Sequence, residues 1–385
     1  MLLQRAPGLT DEAEAKRYLE EARDTVERFK AAELEDYFQD DCVEAARNNV
    51  TSLDVVSKTA IVVYPIQLPN RLELLVSLPT GLKQVTVPVT AEVLEKEVRT
   101  FRRKLEKRTT WEFLPHAQQL YTWLIRPLEA DLQAFDLKTM VFVPDGPLRT
   151  IPMAALHDGK EFLIRKYATA TTPGLDLTDP RPLQRTRARV LAVGITEAVQ
   201  GFPELPHVQR ELQTLNQLYD GDTLLNHAFK MSRVEQELRD HPFTILHIAS
   251  HGQFSDEVEK TFLLTFDDKL TMDRLDQLVG LFRFRDDPLE LLTLSACQTA
   301  AGDDRAALGL AGIAIKAGAR SALATLWFIN DRASADLVAE FYRELNGAEV
   351  SRAIALQRAQ LKLLDNPIYE HPGYWAPFLL LNNWL

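Results

Sequence analysis

Cysteine is nearly missing from this chain: Cys42 and Cys297 are the only two in 385 residues. Two thiols make no disulfide framework and suit a reducing compartment, so the fold must rest on its core. Also missing is any apolar run near the roughly 20 residues that a membrane span requires. Met1 to Lys16 holds no signal-peptide core, and a cytoplasmic protein that does not engage a membrane is expected. There is no Gly-x-x-x-x-Gly-Lys-Ser/Thr phosphate loop and no Gly-x-Gly-x-x-Gly, which removes the usual grounds for nucleotide binding. Basic charge is short as well. Lys+Arg 44 against Asp+Glu 55 leaves a net charge of −11, which disfavours adhesion to nucleic acid and welcomes a basic substrate segment. The runs Arg99 to Arg108 and Arg181 to Arg189 read as solvated helix and linker faces. Asp267-Asp268 and Asp303-Asp304 read as wet loop carboxylates rather than calcium ligands. No metal and no other cofactor is called for.

With 46% hydrophobic and 26% charged residues the composition is that of a globular protein long enough for two cores. Thr10 or Asp11 can cap a polar helix reaching about Ala32, with Leu19, Ala22, Val26 and Phe29 at helical spacing. Its apolar stripe predicts a docking helix. Strands are predicted at Thr59 to Pro65, Arg71 to Leu78 and Gln84 to Val89, then helices from Ala91 to about Lys107 and from about Ala117 to Ala134. A strand Met140 to Pro144 follows and meets Asp145-Gly146. Beyond the connector Asp179-Pro180-Arg181-Pro182, strand and helix alternate. Strands at Val190 to Gly194, at Ile245 onward, at Leu291 onward and at Arg320 to Trp327 are interleaved with helices near 206–218, 232–240, 308–317, 332–345 and 350–364. This alternation predicts an α/β fold with a mostly parallel sheet flanked by helices, and such sheets carry their sites at the carboxyl ends of strands.

Two strings stand out. Ile245-Leu246-His247-Ile248-Ala249-Ser250-His251-Gly252 and, 46 positions on (297 − 251), Leu291-Leu292-Thr293-Leu294-Ser295-Ala296-Cys297-Gln298-Thr299 are apolar runs of strand length that end in a reactive side chain. Each delivers one such group to the end of a buried strand, and a thiol beside an imidazole makes a nucleophile and its acid–base partner. Taken alone, Cys297 reads equally as a small buried hydrophobe, and His251 as a strand-end histidine bonded to a loop carbonyl. The polar loop Gln298 to Arg305 after Cys297 points instead to a solvent-facing thiol. His247 and His251 share a strand face but lie about 13 Å apart at roughly 3.3 Å per residue, too far to hold one metal, and His247 is assigned to the sheet interior. Gly252 lacks a Cβ and admits a carbonyl oxygen to its backbone N–H. Cys42, in Asp40-Asp41-Cys42-Val43, reads as incidental.

Taken together, the two strings, Ala317-Gly318-Ala319-Arg320-Ser321-Ala322-Leu323-Ala324-Thr325-Leu326-Trp327, Phe341-Tyr342 and His371-Pro372-Gly373-Tyr374-Trp375-Ala376-Pro377-Phe378 resemble the CHAT domain. This is a caspase-like cysteine peptidase family of clan CD related to separases. Phe142-Val143-Pro144-Asp145-Gly146-Pro147-Leu148 with Ile151-Pro152 is similar to that family's opening strand. The resemblance covers about residues 55–385. It implies a helical N-terminal segment over 1–54, an inactive caspase-like half over 55–180 and an active half over 181–385. It also implies a bacterial, cytoplasmic cysteine endopeptidase in which His251 and Cys297 form the catalytic pair. The backbone N–H groups of Gly252 and Cys297 would hold the oxyanion. Asp331, in Trp327-Phe328-Ile329-Asn330-Asp331, and secondarily Asp145, would favour a basic residue before the scissile bond. Asp331 reads equally as the N-cap of the helix beginning at Arg332, and Phe328, where separases carry an acidic residue, keeps an apolar pocket open. A protein or peptide substrate is expected, with activation by a partner or by an upstream TPR-like or other sensor region; the abrupt start reads as that of a fragment. The alternative is a catalytically silent caspase-like scaffold acting by protein contacts.

Overall fold

The computed structural model describes residues 3, 12–38, 60–179, 181–280, 289–299, 303–347 and 350–385, with the backbone alone at 276, 278–280 and 296–299. The helix-start candidates Thr10 and Asp11, and Cys42, lie outside the described residues, as do residues 300–302 of the loop after Cys297.

The first helix, α1 (Glu12–Phe38), runs beyond the expected end at Ala32. A meander of β1 (Ile61–Leu68), β2 (Arg71–Leu78) and β3 (Gly81–Val87) follows. Next come α2 (Ala91–Leu105), started by the Thr90 side chain, α3 (Leu114–Leu124) and α4 (Glu129–Ala134). One continuous helix was expected over the last two. Pro127 interrupts it with a 3-10 turn at Arg126–Leu128, because proline has no N–H to continue the ladder. Strands β4 (Thr139–Phe142) and β5 (Ala168–Thr171) complete the N-terminal set.

The C-terminal set runs β6 (Arg189–Gly194), α5 (Val208–Leu218), β7 (Asp220–Leu225), α6 (Met231–Asp240) and β8 (Ile245–Phe254), alternating strand and helix as predicted but with β7 as a strand that was not expected. After β9 (Phe262–Leu264), β10 (Lys269–Thr271) and α7 (Met272–Gly280) comes β11 (Leu289–Thr299). The helix expected near 308–317 is two, α8 (Asp304–Ala311) and α9 (Ile313–Lys316), divided at Gly312. A Cβ at Gly312 would stand 2.6 Å from Leu34 Cδ2, so the division lies where α1 packs closely on the chain. The chain ends with β12 (Ala319–Thr325), α10 (Asp331–Asn346), α11 (Arg352–Leu364) and β13 (Phe378–Asn382).

All strands join one 13-stranded sheet of order β10-β9-β8-β11-β12-β13-β5-β4-β1-β2-β3, with β6 and β7 branching from β8. The pairs β6–β7, β6–β8, β8–β11, β11–β12, β1–β4, β4–β5 and β5–β13 are parallel. Strand β13 is parallel to β5 but antiparallel to β12. The parallel strands of the N-terminal set therefore run opposite to those of the C-terminal set, and β13 is the seam.

Helix α1 crosses this seam. Glu27 accepts from the Tyr64 hydroxyl at 2.6 Å and from the Leu175 and Asp176 N–H groups, tying the helix to the N-terminal set. One turn on, Lys30 pairs with Asp145 at 2.6 Å and Glu33 with Arg149. At its far end the Tyr37 hydroxyl donates to Ser255 O at 2.8 Å, just past β8, while the ring packs against Gly309 of α8.

Candidate active site

Strand β8 is buried along nearly its whole length, and its apolar residues meet neighbours on both faces, which is why it reads as a continuous hydrophobic run. It lies parallel to β11 with Leu291 opposite Ile245 and Ser295 opposite Ala249. Then the register shifts: Cys297 stands opposite Gly252. Three steps on β8 match two on β11, so Ser250-His251 form a β-bulge, the kind of extra residue that turns a side chain out of the regular pleat. On the other edge of β8, β6 pairs only as far as Ala249, whereas β9 begins at Gly252. His251 thus lies where one neighbouring strand leaves and another arrives, a crevice at the carboxyl end of a parallel sheet.

The loop from β6 to α5 fills one side of this crevice. Gln200 and Gly201, with φ of 51° and 84°, make a tight reversal that bridges Val199 to Phe202. The Phe202 ring is thereby set against the imidazole, centroids 5.1 Å apart. Pro203 follows, and its carbonyl oxygen is 2.8 Å from His251 Nε2. A carbonyl only accepts, so this bond places a proton on Nε2 and leaves Nδ1 as the nitrogen that can take up or release one. His251 is only 6% exposed, yet Pro203 beside it is exposed, so the ring is shielded without being sealed deep in the core. Ser250 Oγ donates to Leu264 O at 2.7 Å and fastens the other limb of the bulge to β9.

His247 is in the sheet interior, as expected. Its Nε2 is 2.9 Å from Glu211 Oε1, an approach outside hydrogen-bonding geometry, and its Nδ1 is 3.4 Å from the Tyr342 hydroxyl. That hydroxyl also meets Thr293 Oγ1 at 2.7 Å.

The other candidates are dispersed. Asp331 is the first residue of α10, but the N-cap is Asn330, whose side chain accepts from the N–H groups of Arg332 and Ala333. Asp331 Oδ2 instead accepts from the backbone N–H of His207 at 2.8 Å. Burial pushes its carboxyl above the ordinary range, more than the His207 bond and the nearby His251 offset. Phe328, 39% exposed, stands open on the β12–α10 connection. Asp145 lies after β4, four places along the sheet from β11, and binds Lys30, Arg149 at 3.2 Å and its own Gly146 N–H. Burial would raise its carboxyl, but Lys30 and Arg149 outweigh this and hold it below the ordinary value. The acidic pairs are engaged too: Asp303 caps α8 through the Arg305 and Ala306 N–H groups, and Asp268 pairs with Arg274. Asp222 on β7, Glu237 on α6 and His241 just past its end form the group among the described residues whose ligand atoms lie within 4.8 Å of one another. Glu237 there is already paired with Arg233 at 2.6 Å and His241 at 2.9 Å.

Two contributors had no signal in the sequence. Pro203 acts through its main chain, which any residue could supply. Arg102 of α2 is 4% exposed and donates to Thr150 O and to Leu326 O at 3.1 Å, with its guanidinium 4.5 Å from the Trp327 ring centre. A basic run read as a solvated face therefore contains one arginine that reaches inward and holds the root of the β12–α10 connection.

No helix among the described residues is long and apolar enough to cross a membrane. No curated protein sequence matches the chain significantly. Among solved structures it is similar to the separase–securin complex of Saccharomyces cerevisiae, with a TM-score of 0.54 and 8% identity over 89% of this chain and 31% of that one. A second structure of that complex gives 0.52 and 9% with the same coverage. The Arg-specific cysteine proteinase gingipain R gives 0.46 and 10% over 76% of this chain and 74% of that one. The chain spans about a third of the separase chain it matches. At these identities the separase likeness shows a shared fold, that of a caspase-like peptidase. The CHAT domain profile matches residues 114–383, well over half of the sequence, and the chain belongs to the CHAT domain family.

Proposed function

We propose that the protein is a cysteine endopeptidase whose catalytic pair is Cys297 and His251. The observation that carries this reading is the pairing of Cys297 with Gly252, the residue after His251, across adjacent parallel strands. In the proposed reaction the Cys297 thiol passes its proton to His251 Nδ1 as the sulfur attacks the scissile carbonyl carbon. His251 gives the proton held at Nδ1 to the departing amine as the C–N bond breaks, leaving a thioester on Cys297. His251 Nδ1 then takes a proton from water as its oxygen attacks the thioester and returns that proton to the sulfur as the C–S bond breaks, so that the acid product leaves and the thiol is restored. Throughout, the bond from Nε2–H to the Pro203 carbonyl holds the ring and steadies the imidazolium. Backbone N–H groups of Gly252 and Cys297 would receive the oxyanion, each worth about 3 kcal/mol.

Phe328, open at this end of the sheet, is the proposed wall of the substrate pocket; Asp331 borders it with an engaged carboxylate. Asp145 serves the docking of α1 in this reading. Residues 55–180 act as the half without a catalytic pair. A protein substrate and regulation by a protein partner are proposed by analogy with the fold, the solved separase being in complex with securin. The test is a fluorogenic peptide panel varying the residue before the scissile bond, with wild type and Cys297→Ala. Turnover by wild type that vanishes in Cys297→Ala supports the peptidase; equal turnover by both ends it and leaves the scaffold reading.

A further inference from the structure

We infer that Asp331 is a positioning residue: by holding the His207 backbone N–H, its carboxylate fixes the 202–207 loop whose Pro203 carbonyl orients the His251 imidazole. The argument starts from what Asp331 does not do. Capping of α10 is already performed by Asn330 through two backbone N–H groups, so a second capping carboxylate is not needed. The Asp331 oxygen turns away from its own helix to the residue preceding α5.

That residue is the far anchor of a short loop. Its near end is set by the Gln200-Gly201 reversal, with Gln200 Nε2 on Thr265 O at 3.1 Å. Leu205 N–H reaches back to Thr196 O at 3.1 Å, and His207 N–H goes to Asp331. Between these anchors Pro203, Glu204 and Pro206 are exposed and contribute little burial, so polar ties set the loop's position. The loop meets the imidazole through the Phe202 ring and the 2.8 Å bond from His251 to Pro203 O. Helix α10 is a firm post for the tie: it packs beside α5, joined by an Arg210–Asp336 ion pair, and its lead-in is held by Arg102 at Leu326 O. Loss of the Asp331 acceptor frees the His207 end, lets Pro203 O drift and releases the ring from its one fixed orientation.

This assignment deepens the peptidase reading, and its kinetic half rests on it; its spectroscopic half does not. The experiment compares wild type, Asp331→Asn and Asp331→Ala, with Asp331→Leu as an isosteric second variant that likewise lacks an acceptor. Peptides with arginine, lysine or leucine before the scissile bond are hydrolysed, and the His251 Nε2–H proton is followed by NMR of histidine-labelled protein, assigned by its loss in His251→Gln. Positioning predicts that the asparagine variant, which keeps an acceptor oxygen, retains wild-type kcat and the protected proton signal. The alanine and leucine variants lose about 10- to 100-fold in kcat on every peptide with KM little changed, and lose the signal to solvent exchange. A charged-pocket role predicts instead that asparagine and alanine fail alike, through KM and for basic peptides only, which overturns the inference. So does a protected Nε2–H signal that survives in the alanine or leucine variant. If no peptide is turned over by any form, as for a peptidase that needs its partner, the kinetic half is void and the proton signal alone decides the positioning role.

Discussion

At the scale of single residues, chemistry is set here by what the main chain offers. The strands that carry His251 and Cys297 were legible because each is an apolar run of strand length, and both residues stay proposed as the catalytic pair. The bulge that presents His251 was not legible, since it exists only in the mismatch between Ala249 to Gly252 on one strand and Ser295 to Cys297 on the next. The Pro203 and Leu326 carbonyls were equally hidden, as side-chain identity says nothing about which main-chain oxygen a distant histidine or arginine will find. Arg102 bears the largest consequence at this scale. It satisfies two buried carbonyls from different parts of the chain, and burial lowers its pKa against the support of Glu106. Arg102→Met leaves Thr150 O and Leu326 O without their donor, at about 1–3 kcal/mol each, partly offset by the relief of burying a charge. A net loss of about 2 kcal/mol is expected in urea unfolding, with quenching of Trp327 fluorescence altered; an unchanged midpoint contradicts the role.

At the scale of elements, periodicity found the long helices and the buried strands, and it failed where burial or length was small. Strand β7 opens with Asp220-Gly221-Asp222-Thr223, polar and partly exposed on the sheet's rim, and β9 and β10 are three residues each, too short to show alternation. The predicted helix over 117–134 broke at Pro127, a signal that was present in the sequence and outweighed by the apolar spacing around it. Helix α1 was expected to dock, but its extent was not, because Leu34, Tyr37 and Phe38 gain their partners only once α8 and α9 are beside them. Glu27 gives this helix a pH signature. Burial raises its carboxyl above the ordinary 4.5, with the Tyr64, Leu175 and Asp176 bonds only partly compensating. A native pKa raised above the unfolded one means the native state holds the proton longer, so stability is fully present below 4.5 and declines as pH rises through the raised value. Glu27→Gln is therefore expected to gain on wild type in melting temperature as pH rises above 4.5, with the difference levelling once Glu27 is ionised. A difference independent of pH between 4 and 8, roughly the span over which a raised carboxyl titrates, contradicts this account.

At the scale of the whole molecule, the decisive strand is the last. The terminal run Phe378 to Asn382 was read only as part of a motif, yet β13 lies between β12 and β5 and makes one sheet of two oppositely running sets. Short apolar runs carry no address, and this one's partners are about 200 and 60 residues upstream, a pairing that local pattern cannot specify. Asn383 Nδ2 on Arg181 O, Thr172 Oγ1 on Asn382 Oδ1 and the α1 crossing reinforce the seam. The expected behaviour is a single cooperative unfolding transition, with secondary structure and tryptophan fluorescence lost together; two separated transitions contradict it.

The same scale frames the functional proposal, since the sheet sets β8 and β11 side by side in parallel. The most direct test is mass mapping of the intact chain after treatment with a peptidyl chloromethyl ketone, a peptide carrying a thiol-reactive group where the scissile bond would be. The account predicts one adduct per chain, on Cys297 and not Cys42, formed faster than with the same reactive group lacking its peptide. An unmodified Cys297, or equal labelling of both cysteines regardless of the peptide, would contradict it.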